Sequence, residues 1–311
     1  MQSSKISNQL KKILLTGSNG LLGQKIVHNI ISKRSNQYQL LATSKGDNRI
    51  SNEEGYTYQT LDISDAEQVN AIVESFQPDV IINTAAMTNV DECEDKKELC
   101  RVLNVEAVIN LINASRSVDA HLIHLSTDFI FDGENGPYKE GDTPNPLSYY
   151  GQSKYDAERL LQESDIAWSI VRTIIVYGIG EQMSRSNIVL WAKEALEKGQ
   201  PLTIVNDQFR SPTLAEDLAE GCLLIADQQK KGVYHISGKD IMSIIELVKR
   251  VADYFELPSS QVSETTSSNL SQAAKRPPKT GFILDKAIND LGYKPHSFEE
   301  GLQLLEEQLK A

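Results

Sequence analysis

Apolar and polar positions along this chain keep switching between two periods. Lys12-Ile-Leu-Leu-Thr16 is an apolar run of strand length that meets a glycine cluster and passes into an amphipathic stretch, Leu21 to Ile31, at helical spacing. The pattern returns: Tyr38 to Thr43 and Tyr56 to Leu61 read as strands, and Ser64 to Phe76 as a helix opened by Ser64 and Glu67 as a capping box. Pro78 to Asn83 reads as a buried strand, Lys96 to Val118 as one long helix, and His121 to Thr127 as a further strand. Tyr150 to Glu163 is predicted as a helix and Trp168 to Val176 as a strand. Between them the period fails, and Gly133, Gly136, Pro137, Gly141, Pro144 and Pro146 mark an irregular loop.

Strands that are continuously apolar and separated by helices predict an α/β fold, a Rossmann-like doubly wound parallel sheet covered on both faces. Residues 1–177 are expected to form this dinucleotide-binding part. The less regular residues 178–311 are expected to form mainly a smaller C-terminal substrate-binding cap, with segments at about 211–236 returning to the sheet. Ser259 to Ser271, rich in Ser and Thr, reads as a surface loop, and no internal repeat is found.

Composition narrows the function. With 311 residues, 40% hydrophobic and 24% charged, the chain is globular, and at this length it buries a core without disulfide or metal staples. Its 43 acidic against 31 basic residues leave a net charge of -12, which disfavours nucleic acid and anionic membranes as partners and makes small-molecule chemistry the expectation. Cys93, Cys100 and Cys222 are an odd number without C-x-x-C spacing, which fits a reducing cytoplasm and suggests neither a disulfide framework nor a thiolate zinc site. The N-terminus, Met1 to Leu10, is polar, and no run approaches the ~20 apolar residues of a membrane span.

Three constellations carry chemistry. Gly17-Ser-Asn-Gly20-Leu-Leu-Gly23 lies between a strand and a helix, where missing side chains admit a pyrophosphate to free N–H groups and the positive end of the helix dipole. The alternative is an ordinary tight turn. Counting on from Gly23 to the ribose-binding position leads to Thr43-Ser44-Lys45, with no acid, so Ser44 and Lys45 favour NADP(H) over NAD(H); Lys45 as a solvated loop lysine is the bland alternative. Asp62 is a candidate for the adenine edge. In Tyr150-Gly-Gln-Ser-Lys154 the phenol and ammonium share a helical face, a pairing that favours the phenolate and moves a pKa of ~10 towards working pH; a surface aromatic–lysine pair is the alternative. Ser126-Thr127-Asp128 ends an apolar strand at the sheet edge where ligands bind, or simply satisfies the turn. The five histidines include no H-E-x-x-H pair; His121 and His124 fall on opposite faces of a strand and read as packing or surface residues. No metal is expected.

Together with Ala85-Ala-Met-Thr-Asn-Val-Asp91, Leu125-Ser-Thr-Asp-Phe-Ile-Phe-Asp-Gly133, Arg172-Thr-Ile-Ile-Val-Tyr-Gly178 and Asn206-Asp-Gln-Phe-Arg-Ser-Pro-Thr213, these motifs resemble the dTDP-4-dehydrorhamnose reductase family of extended short-chain dehydrogenases/reductases. The resemblance runs from Lys12 to the C-terminal helix. It implies catalytic roles for Thr127, Tyr150 and Lys154, and a pyrophosphate turn of Gly17, Asn19, Gly20, Leu21, Leu22 and Gly23. It further implies an adenine and ribose pocket of Asp62, Ile63, Ala85, Ala86 and Thr88, with Asn104 behind the active site. Thr127, Asp128, Asn187, Gln208, Arg210 and Arg276 fall at positions that face a nucleotide-sugar substrate. Ile175 stands where many members have Trp, which removes an aromatic surface and loosens substrate identity. The reaction implied is NADPH-dependent reduction of a 4-keto group in a cytoplasmic monomer or homodimer. The same resemblance extends to a non-catalytic regulatory subunit of methionine adenosyltransferase.

Overall fold

The computed structural model describes residues 10–310, so most of the polar N-terminal stretch, Met1 to Gln9, lies outside the described residues. Its centre is a seven-stranded parallel sheet. Six strands come in order from residues 11–173: β1 (Lys11–Thr16), β2 (Tyr38–Ser44), β3 (Thr57–Thr60), β4 (Val80–Asn83), β5 (His121–Thr127) and β6 (Trp168–Thr173). The seventh, Gly232–His235, pairs with β6 at one edge, so a segment from the second half of the chain completes the sheet. Across the sheet the order is Gly232–His235, β6, β5, β4, β1, β2, β3. Chain direction across the sheet therefore reverses between β1 and β4, and a crevice opens there beyond the carboxyl ends of the strands.

The continuous apolar runs follow from double coverage. On one face Ile13, Leu15, Ile82 and Ile123 pack on α1 (Leu21–Lys33) and on the helix Ala215–Gln228. Leu14, Ile81 and Leu122 point the other way, to α2 (Ala66–Phe76) and to Ala107–Val118. Each such side chain, removed from water on both sides, stabilises the fold by ~1.5–3 kcal/mol. A separate apolar cluster that includes Tyr177, Val189, Leu202, Leu247, Val248 and Phe298 holds the unit facing the crevice from the other side.

Four local expectations need correction. The N-cap of α2 is Asp65, whose carboxylate accepts from the Glu67 and Gln68 N–H groups, because an aspartate one residue closer to the helix outcompetes Ser64. The helix predicted over Lys96 to Val118 is two α-helical pieces, α4 (Lys97–Arg101) and α5 (Ala107–Val118), joined by a widened π turn at Val102–Glu106, and a separate short helix, α3 (Val90–Asp95), precedes it. The π turn carries Asn104, whose amide bonds both backbone groups of Met87 and the Ser153 hydroxyl. The strand predicted to reach Val176 ends at Thr173, and Ile175 takes a positive φ of 32° that turns the chain before Val176–Tyr177. Within Ser259 to Ser271, residues Val262–Thr265 form a strand parallel to Leu202–Val205, because backbone pairing and the packing of Val262 on the separate apolar cluster override the polar side chains.

Candidate active site

A cleft of about 1210 Å³ lies along the crevice. Its floor is the turn after β1. Gly17 has φ +74°, and a Cβ there would meet the Ala85 nitrogen at 2.7 Å; at Gly23 a Cβ would meet the Gly17 carbonyl at 2.4 Å. Only glycine lets β1, β4 and α1 come this close. The helix starts at Leu21 with no side-chain cap at Gly20 and no acid in its first turn, so its leading N–H groups stay free towards the cleft. Asn19 anchors the neighbouring loop, donating to the Asp47 carbonyl at 2.8 Å and accepting from the Arg49 N–H at 3.0 Å.

Ser44, Lys45, Arg49, Asp62, Ile63, Ala85, Ala86 and Thr88 also line the wall. Lys45 reaches the Asp62 carboxylate at 2.6 Å. Burial pushes Asp62 up, but the Lys45 and Ser64 hydrogen bonds outweigh it and keep the group below the usual carboxylate range. The acid missing after β2 in sequence thus arrives just beyond β3, and among the described residues Arg49 is a cation of this wall that forms no ion pair. Arg49 is not legible in the sequence because it sits in an irregular loop, which the Asn19 side chain ties to the wall.

The other group of candidate side chains gathers at β5 and α6 (Tyr149–Gln162). Ser148 caps α6 by accepting from the Gly151 N–H at 3.2 Å. A Cβ at Gly151 would lie 2.2 Å from the Phe129 carbonyl, so glycine lets α6 rest directly on the turn after β5. Tyr150 and Lys154 consequently line the wall beside Thr127, which lies just behind it and accepts from the Phe129 N–H at 3.2 Å while donating to Asp128. The expected lowering of the Tyr150 pKa is not what this geometry gives. Burial pushes the phenol up, and the neighbouring Thr127 hydroxyl only partly opposes it, so Tyr150 keeps its proton. Burial instead lowers Lys154, to about 8. Ser126, also on this wall, has a buried hydroxyl oxygen with no protein partner, an acceptor and donor available to a ligand.

His124 is not a mere packing residue. Its Nε2 lies 3.1 Å from the Lys154 amine, and its Nδ1 lies 3.0 Å from the Asn83 amide. Alternation on β5 put it on a definite face, but nothing in the sequence said which residue of α6 would cross that face.

The remaining residues divide. Asn187 and Gln208 line the cleft, the first capping the helix Ile188–Glu197 and donating to the Gly178 carbonyl at 2.7 Å, the second donating to Ser267 at 2.9 Å. Arg276 borders it with both terminal nitrogens on Asp91, at 2.6 and 3.1 Å. Arg210, although on the wall, is 2% exposed and donates to the Phe209 and Pro277 carbonyls at 2.7 Å. Asp128 and Asn104 lie behind the wall: Asp128 accepts from Thr280 at 2.5 Å and sits 3.5 Å from Arg210, tying the β5 turn to the cap. Arg185, overlooked in the sequence, lines the cleft and donates to Thr88 at 3.0 Å. Among the described residues no group of three or more His, Cys, Asp or Glu is placed to hold a metal, and no helix is long and apolar enough to cross a membrane.

Residues 11–310 match the RmlD substrate binding domain family. The chain is 29% identical to a dTDP-4-dehydrorhamnose reductase from Clostridium acetobutylicum, with a TM-score of 0.85 over 97% of this chain and 100% of that one. A dTDP-4-dehydrorhamnose reductase from Bacillus anthracis, solved in complex with NADP, is 28% identical, with a TM-score of 0.84 over 96% of this chain and 100% of that one. Methionine adenosyltransferase 2 subunit beta of Xenopus laevis is 32% identical over 266 residues, 82% of this chain and 75% of that protein.

Proposed function

Since the chain belongs to the RmlD substrate binding domain family, we propose that it reduces the 4-keto group of a nucleotide-linked 6-deoxysugar, of the dTDP-4-dehydrorhamnose type, with NADPH in preference to NADH. The observation that carries the reading is the convergence of Tyr150, Lys154 and Thr127 on one end of a cleft whose other end is a side-chain-free turn at an uncapped helix start. Those residues fit a nicotinamide dinucleotide: the Gly17 and Gly23 cradle has no room for a Cβ, and the Ser126 hydroxyl lacks a partner. When bound, the dinucleotide supplies the hydride.

The chain's own part is proton transfer and orientation. Tyr150 gives its phenolic proton to the oxygen that becomes the alcohol; the phenol O–H bond breaks as the product O–H bond forms. A phenol kept protonated by burial suits an acid in the reducing direction. Thr127, turning from Asp128, donates to the same oxygen, and Lys154 stands one helical turn from Tyr150 to hold a ribose hydroxyl and to favour return of the proton. Arg276 and Arg185, at the rim, supply positive charge for the substrate's diphosphate. Arg210 serves by holding the 277–278 segment in place. At the adenosine end Arg49 and Lys45 favour a 2′-phosphate.

A second reading, a dinucleotide-binding regulatory subunit, is favoured by the likeness to methionine adenosyltransferase 2 subunit beta. Mixing the protein with NADPH and dTDP-4-dehydrorhamnose decides between them. Oxidation of NADPH with formation of the 4-hydroxy sugar supports the reductase; tight NADPH binding without turnover on any 4-ketosugar nucleotide favours the regulatory reading.

A further inference from the structure

Behind the residues that face the cleft, a polar line crosses three strands and ends at Lys154. Thr16, Asn83, His124 and Lys154 are 0, 1, 1 and 3% exposed, so their hydrogen-bond roles are set mainly by one another. The starting point is Asn83. Its Oδ1 takes the Ala85 N–H at 3.2 Å and the Thr16 hydroxyl at 2.6 Å. A backbone N–H only donates, which identifies that atom as the oxygen and turns the amide NH2 to the His124 ring. The NH2 group also only donates, so His124 Nδ1, 3.0 Å away, is an acceptor and carries no proton. The proton of the neutral ring is therefore on Nε2, which points at the Lys154 nitrogen 3.1 Å away. An ammonium has no lone pair to receive that N–H; an amine has one.

We propose that His124 is a positioning residue that, locked in its Nε2–H tautomer by Asn83, donates to Lys154 and holds it as the uncharged amine until a ribose hydroxyl competes for it. Burial acts in the same direction, bringing Lys154 to about 8 and keeping His124 well below its ordinary range. Other groups around Lys154 oppose it. Glu158, one turn along α6, favours the charged lysine, but Arg172 already pairs with it at 2.7 Å. The Cys100 sulfur from α4, which neighbouring thiol and hydroxyl groups hold below the ordinary thiol range, favours charge as well. Tyr150, the remaining titratable neighbour on the helix, stays protonated and neutral. The imidazole N–H is thus the one directional contact that selects the amine.

The role in catalysis rests on the proposed dinucleotide reading, but the test does not. In cofactor-free protein labelled with 15N-histidine, long-range 1H–15N spectra at pH 7 report the His124 tautomer, with the signal assigned by its loss in His124→Gln. The expected result is the Nε2–H form; an Nδ1–H or doubly protonated ring overturns the proposal, and needs no variant to do so. Competitive acetylation with acetic anhydride, read by mass spectrometry, then follows the amine form of Lys154. In His124→Gln the side-chain oxygen turns to the ammonium, and the reactivity of Lys154 at pH 7 falls about tenfold, the worth of one buried hydrogen bond to a charged group. Unchanged reactivity in the folded variant overturns the proposal. Neither readout involves turnover, so a protein inactive on every ketosugar that still shows the Nε2–H ring refutes the reductase reading alone.

Discussion

Gly151→Ala tests how closely the catalytic geometry depends on one backbone contact. A Cβ at this position would sit 2.2 Å from the Phe129 carbonyl oxygen, with the Phe129 carbon at 3.0 Å and Pro146 at 3.2 Å. The obstacle is backbone in the turn after β5, not the tip of a flexible side chain, so the start of α6 must retreat by about 0.8 Å merely to reach 3.0 Å. Alanine also gains ~1 kcal/mol of helix propensity over glycine, against ~1–3 kcal/mol for overpacking, so the net effect on stability is a loss of up to ~2 kcal/mol. Tyr150 and Lys154 move with the helix while Thr127 stays on β5. A shift of ~1 Å between reacting groups costs on the order of 100-fold in turnover. Dinucleotide affinity, set mainly by the distant glycine turn, changes little. The checks are kcat with a 4-ketosugar nucleotide, the dissociation constant for NADPH by fluorescence, and urea unfolding. Full turnover with unchanged stability would refute the packing argument.

Arg49→Ala lowers the preference for NADPH over NADH at least fivefold, since a charge-assisted phosphate contact is worth ~1.5–3 kcal/mol when made directly; equal preferences before and after would remove Arg49 from the site. Arg276→Ala raises KM for the sugar nucleotide about tenfold while kcat holds, because contact with a non-reacting diphosphate is made equally in ground and transition states. Stability falls as pH drops below the ordinary histidine value. Burial lowers His121 in the fold to about 4, so the unfolded chain takes up a proton first, at about 6.5, and by pH 5 the folded state has lost ~2 kcal/mol through this residue. Urea titrations at pH 7 and 5 should show a smaller loss in His121→Gln than in the unmodified protein.

The sheet and the first glycine turn were legible because they rest on local signals: apolar runs of strand length, and glycines where backbone meets backbone. The Tyr150–Lys154 pair was legible from helical spacing, yet its electrostatics were not. Burial depends on what covers α6, and it raised the phenol where the nearby lysine alone would have lowered it. Asp62 beside Lys45, Arg49 on Asn19, and Asn83 beside His124 join residues 17, 30 and 41 positions apart, through strand order that periodicity does not encode. Arg210 shows the converse. Its type suggested a phosphate ligand, whereas its neighbours in space are three backbone carbonyls that engage most of its donors.

The central claim is that Tyr150 is the proton donor of a reductase, and Tyr150→Phe tests it most directly. The phenyl ring keeps the edge-on contact with Phe129 and removes only the hydroxyl. NADPH-dependent reduction of dTDP-4-dehydrorhamnose, followed at 340 nm, should fall by roughly two to four decades in kcat with NADPH affinity unchanged. A Phe variant that turns over at the rate of the unmodified protein would contradict the account.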